Sequence, residues 1–373
     1  MHLLHRHIFW GVLGTCGAAV GLFAFVLIVG NALKDLLGYV ATGQIPPETF
    51  AKLLLLLVPY VCAYALPMGV LTGVLLVLGR MSAQQEITAM RAAGLSLGYI
   101  ARPIFVLGTL GVVAGLGVNF YYMPLARTAY KQTLADAVQK NPLSFIVPKT
   151  FIRDFPGIVV YVGEKDGALL RDFWVWELDS RKRVRTFARA QTGRFDYDAE
   201  QNKLTLTLAN VTAETRDEND PENFSKPLST GSFGEVPIEL KLSTIFGKQE
   251  LRKKASWLTL EQLEAEQARL EAENAPVAER LKISSALHEK ASSAFAVLAF
   301  AIVAVPLGIK VSRKETSANL GVALGLLLGY LFLTNVIGSL DQFPQIRPDL
   351  LLWLPSALFF ALGVWLFRRL GRV

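Results

Sequence analysis

The sequence predicts an α-helical membrane protein with six transmembrane helices, three on each side of an inserted all-β domain of jelly-roll type. Three observations carry that reading. Of 373 residues, 52% are hydrophobic and 18% are charged, with a mean hydropathy of +0.38, which is unusual for a soluble chain. The apolar residues are bunched rather than spread. Six windows hold no Asp, Glu, Lys or Arg: 8–33, 53–79, 103–126, 291–309, 316–340 and 350–367. Between the third and fourth windows the pattern changes to short β-branched and aromatic runs.

Each window reaches the ~18 residues that let a helix cross a ~30 Å hydrocarbon core. In lipid the backbone has to satisfy its own hydrogen bonds, so these segments are helices. One such window alone suits a buried helix of a soluble domain; six in two groups of three do not. The first is too long for a cleavable signal peptide, and no small-residue cleavage site follows it.

Lys and Arg near the span ends set the orientation. With the N-terminus inside, the segments 1–7, 80–102, 310–315 and 368–373 are inside and hold ten basic residues, among them Arg6, Arg80, Arg91, Arg102, Lys310 and Arg368. The short outside loops hold Lys34, Lys52 and Arg347. Both termini are therefore expected inside and residues 127–290 outside. That long segment carries 25 basic and 25 acidic residues. The pI of 9.3 thus belongs to one rim of a membrane protein, which argues against a nucleic-acid binder. Cys16 and Cys62 both lie in spans, so the outside domain holds together by its core alone.

Residues 127–143 read as a polar helix leaving span three. From about 143 to 246, strand-like runs follow one another: 157–162, 173–178, 183–188, 193–197, 203–208 and 236–240. Turn signals separate them, such as Asp166-Gly167 and Asn219-Asp220-Pro221. Short, evenly spaced strands with this punctuation indicate a sandwich or jelly roll. Either fold leaves edge strands able to accept a strand from a partner. Residues 258–283 read as a helix with Thr259 and Gln262 as a capping box and Leu260, Leu263 and Leu270 as a partial apolar stripe, broken at Pro276.

No G-x-x-x-x-G-K-S/T, H-E-x-x-H or G-x-S-x-G stretch is present, so no P-loop, zincin or hydrolase chemistry is expected. His2, His5 and His7 form a short tail whose reading is an interfacial anchor. The six windows contain no ionisable acid or base beyond Cys and Tyr, which argues against an ion-coupled transporter. Neither a cofactor nor a metal is expected, and the chain reads as a non-enzyme driven by a partner.

Between spans two and three lies Arg80-Met-Ser-Ala-Gln-Gln-Glu-Ile-Thr-Ala-Met-Arg-Ala-Ala-Gly-Leu-Ser. Residues 82–97 read as a short inside helix capped by Ser82, with Ile87, Met90 and Ala93/Gly94 on one face. Such a helix suits a groove on a soluble partner, or lies on the surface as a connector.

This stretch resembles the coupling helix of the lipopolysaccharide-export permease family LptF/LptG (YjgP/YjgQ), through Glu86, Ile87, Met90, Ala92, Gly94, Leu95 and Ser96. Other landmarks follow in order: Asn119 through Pro124, the strand openings 151–163 and 188–193, His288, Phe300 and 305–309. The similarity covers nearly the whole chain and is somewhat closer to LptF. Departures are His288-Glu289-Lys290 where the family has His-Arg-Arg, Ala294 where it has a proline, and a loop after span four without its glycines.

The resemblance implies a heterodimer of two paralogous permease chains, a dimer of the ATPase LptB, and a periplasmic bridge of the jelly-roll proteins LptC and LptA. It implies an inner-membrane protein whose β domain is periplasmic and whose cargo is lipopolysaccharide. Pulling a lipid from a bilayer costs about 0.8 kcal/mol per CH₂, which is why external work is needed. By the same resemblance Glu86, Ile87, Met90, Arg91 and Gly94 face the ATPase. Spans one and five form lateral gates, with Gly321, Gly325 and Gly329 as a small-residue ridge on span five. Lys34 is placed for a head-group phosphate, or snorkels as an ordinary interfacial lysine. The rival readings are a permease of the same architecture for another amphiphile, a membrane-anchored scaffold, and a lipid or glycan enzyme using Asp341 and Asp349.

Overall fold

A computed structural model describes residues 3–41, 45–140, 148–149, 151–152, 157–166, 169–179, 183–198, 203–216, 229–241, 255–311, 316–342 and 346–371. The turn at Asn219-Asp220-Pro221, Gly167, His2 and most of the loop after span four lie outside these residues. The chain divides into two units, one of helices and one carrying the strands.

Among the described residues, six helices are long and apolar enough to cross a membrane. They are α1 (Leu3–Ile28), α3 (Pro47–Ala83), α5 (Leu97–Gly117) running on into α6 (Met123–Lys140), α8 (Val277–Val311), α9 (Thr316–Gly338), and a sixth formed by α10 (Pro348–Leu351) and α11 (Leu354–Gly371). They are called spans one to six below. Shorter helices are α2 (Lys34–Ala41), α4 (Glu86–Ala92) and α7 (Leu260–Ala272). The strands fall between the third and fourth spans in the chain.

The spans do not contribute equally to the core. In spans two and four, 67% of the central window is buried; in spans one and five only 17% is. The central cluster draws Leu71, Val74, Leu75 and Leu78 from α3 and Val297, Phe300, Ala301 and Val303 from α8. Close approach is made possible by missing side chains. A methyl added at Gly73 would stand 2.6 Å from the Cα of Cys16 in α1, and one at Gly363 would stand 2.8 Å from the backbone N of Val303.

Two spans contain a π turn, Val29–Leu33 after α1 and Val118–Tyr122 between α5 and α6. Such turns cluster at functional sites because they redirect side chains. The second carries Asn119, which is buried and donates to the carbonyl of Lys290 and the hydroxyl of Ser293 in α8.

In the second unit the described strands form one antiparallel sheet in chain order: β1 (Phe151–Ile152), β2 (Ile158–Asp166), β3 (Leu169–Leu178), β4 (Val184–Asp198), β5 (Lys203–Thr215) and β6 (Ser229–Lys241). The sequence predicts a two-layer fold of short strands; the structure shows longer ones. Runs 183–188 and 193–197 are parts of a single 15-residue strand, β4.

A crease explains the difference. In all four long-strand pairs the register skips one row: Gly163, Asp172, Gln191, Asn210 and Gly234. Asp172 and Asn210 sit there at φ of 53° and 52°, the left-handed region that Asp and Asn tolerate best after Gly. A strand alternates its faces, so residues three apart should point to opposite sides. Yet Leu170 and Phe173 are both fully buried, as are Leu208 and Val211. Strands β3 and β5 change their inward parity at the crease, and the apolar residues on both sides of it form one cluster. The crease is tied by side chains: Trp174 Nε1 and Arg189 donate to Asp172 Oδ1 at 2.7 and 2.9 Å, and Asn210 donates to Gln191 at 3.0 Å. These bonds, that from Trp174 first, hold the Asp172 carboxyl below the usual carboxylate range.

Candidate functional site

The segment joining α3 to α5 is shorter and more firmly rooted than expected. The cap predicted at Ser82 does not form, because Ser82 is still in the last turn of α3 and its hydroxyl donates to the carbonyl of Ile309 at 2.9 Å. Gln85, at φ 61°, breaks the helix instead, and α4 covers only Glu86–Ala92. Its far end closes through Gly94 at φ +84°, with Gly94 N–H donating to Arg91 O and Leu95 N–H to Met90 O. This pair of bonds is a Schellman motif, which needs the left-handed residue that glycine supplies. Ser96 then caps α5 by accepting from the N–H of Tyr99 at 3.2 Å.

The helix therefore has one gripped face and one free face. Ile87 is 2% exposed within the helix core, and Met90 and Leu95 pack against that core. Glu86, Arg91 and Gly94 are exposed. An exposed carboxylate and guanidinium on a rigidly seated helix suit charge-assisted bonds to a partner's polar groups.

At the opposite ends of the spans, Lys34 opens α2 directly after the π turn; its side chain lies outside the described residues. A second cluster there is absent from the sequence reading. Arg127 of α6 stacks on Tyr60 of α3 and on Trp257, its guanidinium carbon 4.5 and 5.5 Å from the ring centres. Lys290 of α8 is 5% exposed; its Nζ donates to the carbonyl of Leu258 at 2.6 Å and lies 5.8 Å from the centre of the Phe120 ring. Two cations thus converge on neighbouring residues, Trp257 and Leu258, among aromatic walls. Helix α8 begins at Val277, so Glu289 and Lys290 belong to the same helix as the apolar window. The charge-free windows stopped one residue short of both Arg127 and Lys290, which was the available signal.

Spans four and six are joined by a polar seam with a helical repeat. Ser284 donates to Asp349 at 2.9 Å, Trp353 to His288 Nδ1 at 3.0 Å, and Ser356 to the carbonyl of Ser292 at 3.0 Å. Asp349, expected as a helix-end residue, is 1% exposed and also accepts from Arg347. Among the described residues span five shows no such seam. Tyr330 meets span six through a 3.5 Å contact with Ser356 and ring packing on Phe359, and meets span four through ring packing on Phe300. A methyl at Gly321, Gly325 or Gly329 would meet nothing within 4 Å. The ridge faces away from the rest of its own unit.

A family profile described as lipopolysaccharide export system permease LptF/LptG matches residues 6–369. The chain belongs to this family. Curated relatives are the lipopolysaccharide export system permease proteins LptF of Escherichia coli K12, E. coli O157:H7 and Shigella flexneri. Each is 26% identical over 167 residues, covering 44% of this chain and 45% of the relative. The matched stretch is under half the length of those relatives.

Proposed function

We propose that this chain is the permease subunit of an ATP-driven exporter that withdraws lipopolysaccharide from the inner membrane of a bacterium. It pairs with a paralogous permease chain, and the two bind a dimer of the ATPase LptB. They pass the lipid to the periplasmic proteins LptC and LptA. Residues 1–126 form the first three spans and the coupling segment, 127–285 the periplasmic jelly-roll-like domain, and 286–373 the last three spans. Both termini and the Arg-rich helix ends are cytoplasmic, by the bias of ten basic residues to three.

The observation that carries the reading is the split character of α4: Ile87 is buried in the bundle while Glu86 is exposed. A docking helix has to be fixed on its own side to deliver force and polar on the other to be held. Spans one and five, thinly packed, serve as lateral gates, with Gly321, Gly325 and Gly329 facing the second chain. Arg127, with Lys34, supplies cations for head-group phosphates. The creased sheet supports the jelly-roll reading, because bending long strands over one apolar cluster produces two layers from one sheet. The domain is then one link of the bridge, joined edge to edge.

The test is Glu86→Arg in the complex reconstituted with ATPase and lipopolysaccharide. The variant is expected to insert normally and to lose lipid release while ATP hydrolysis is uncoupled. Transport at the wild-type rate would overturn the assignment of Glu86. Another amphiphile as cargo would show in the mass spectrum of lipid that purifies with the chain.

A further inference from the structure

Span one meets span three through an unusual bond at the Arg-rich end of the bundle. Pro103 lies inside α5 and has no N–H, so the carbonyl four residues earlier loses its normal helical donor. That carbonyl belongs to Tyr99. His5 of α1 supplies the replacement: its Nε2 lies 3.0 Å from Tyr99 O and, facing a carbonyl, is the protonated, donating nitrogen. The two rings pack with centres 4.3 Å apart, and the Arg102 guanidinium lies 5.4 Å from the Tyr99 ring centre. His5 is itself 9% exposed.

The position of this joint matters. Tyr99 is in the first turn of α5, three residues after Ser96 closes the segment that holds Glu86. On the other side, the inward stripe of α1 is His5, Ile8, Val12, Cys16 and Ala19. Beyond Ala19 the helix presents Leu22, Phe25 and Val26, which are exposed. Span one is thus fastened most fully along its first half, with Val20 against Gly69 and Phe23 on the core, and is exposed at Leu22, Phe25 and Val26; His5 is a fastening at the end that meets α5.

We infer that His5 is a positioning residue that carries movement of the 86–96 segment, through Tyr99, into span one. The inference rests on the export reading above, in which an ATPase moves that segment and span one opens. A displaced α4 takes the start of α5 with it, because Ile87, Met90 and Leu95 are bound into the core beside it. The Tyr99 carbonyl then draws on His5, and the lever arm of α1 turns that into movement at its more exposed far end.

Two substitutions test this with opposite structural signs. His5→Ala removes the donor. Pro103→Ala restores an N–H within α5, so that Tyr99 O is satisfied inside its own helix and the joint with His5 is weakened. A merely structural role predicts that His5→Ala destabilises the chain and that Pro103→Ala, which repairs a helix, does not impair it. Both would be reconstituted with the partner permease and ATPase in nanodiscs containing lipopolysaccharide. ATP hydrolysis, lipid released per ATP and the ATP-dependent distance change between spin labels at Phe25 and Trp365 would be recorded. Both variants should hydrolyse ATP, release at least about fivefold less lipid per ATP, as loss of a coupling energy implies, and show a reduced distance change. His5→Gln, which keeps an N–H donor, should recover part of the loss. Wild-type release per ATP in Pro103→Ala, with an unaltered distance change, overturns the inference and leaves the export reading standing. A wild-type complex without ATP-linked release overturns both.

Discussion

Spans two and four and spans one and five are similar in apolar composition and are held in opposite ways. Two thirds of the central window is buried in the first pair and about a sixth in the second. The packed pair exchanges Leu, Val and Phe side chains across glycine-permitted contacts. The loose pair keeps its glycines uncovered: Gly14, Gly17 and Gly21 in α1, and Gly321, Gly325 and Gly329 in α9, have no neighbour within reach of a methyl group. In lipid the hydrophobic effect does not sort helices, since tails are as apolar as Leu; packing and polar contacts do. The difference therefore marks which helices form the frame of this chain and which are thinly packed within it.

The comparison can be broken most sharply at two phenylalanines. Phe300 is 1% exposed and Phe332 is 68% exposed. Phe300→Ala should cost about 3–5 kcal/mol, and Phe332→Ala about 0.5 kcal/mol or less, by thermal unfolding in mild detergent. Equal losses would mean that span five is packed after all. A smaller contrast uses glycine. Gly73→Leu drives a side chain into the backbone at Cys16 and should destabilise by roughly 1–3 kcal/mol. Gly325→Leu should leave the isolated chain intact while lowering lipid release in the assembled complex.

The seam between spans four and six gives a finer test. Ser356→Ala removes one rung and should cost about 0.6 kcal/mol, the usual size of such bonds between membrane helices. The sheet, as a separate unit, is the internal control. Asn210→Val places a β-branched residue at φ 52° and should cost about 1–2 kcal/mol, whereas Asn210→Gly should be nearly neutral; neither should change lipid release per ATP directly.

The smallest effect is one of pH. Trp174 and Arg189 bind the charged form of Asp172, so the folded domain holds that proton more weakly than the unfolded chain does. The resulting stability is present above the unfolded value and is lost as pH falls through the lower, folded one. Asp172→Asn should flatten acid unfolding of the sheet in that window. Exposure of the pair keeps the effect small.

Much of the local structure around α4 is legible from spacing, and the limits have physical causes. The α4 segment stands out in sequence because Glu86, Ile87 and Gly94 lie between two charge-free windows. Its start is not legible because Ser82 is a good cap locally, and only the nearby carbonyl of Ile309 decides that it is spent elsewhere. Arg127 and Lys290 escaped because a charge ends a hydropathy window, while a helix continues through it when the charge finds an aromatic face or a carbonyl. The strands read as shorter because Asp172 and Asn210 are turn-type residues; they mark a crease within strands, and a single strand gives no hint that its neighbours bend on the same row.

What the sequence by itself determined is the number and order of the apolar helices, the position of the strands between the third and fourth of them, the capping box at Thr259 and membership of the family. These follow from local properties: length against bilayer thickness, alternation within a strand, and the identity of a capping residue. What only the tertiary structure decided is which helices form the frame, that His5 fills the acceptor left by Pro103, that Asp349 is buried, and that one row of five residues creases a sheet. Each depends on which group stands opposite another after folding, and hydropathy, being a property of one residue at a time, carries no record of its neighbours in space.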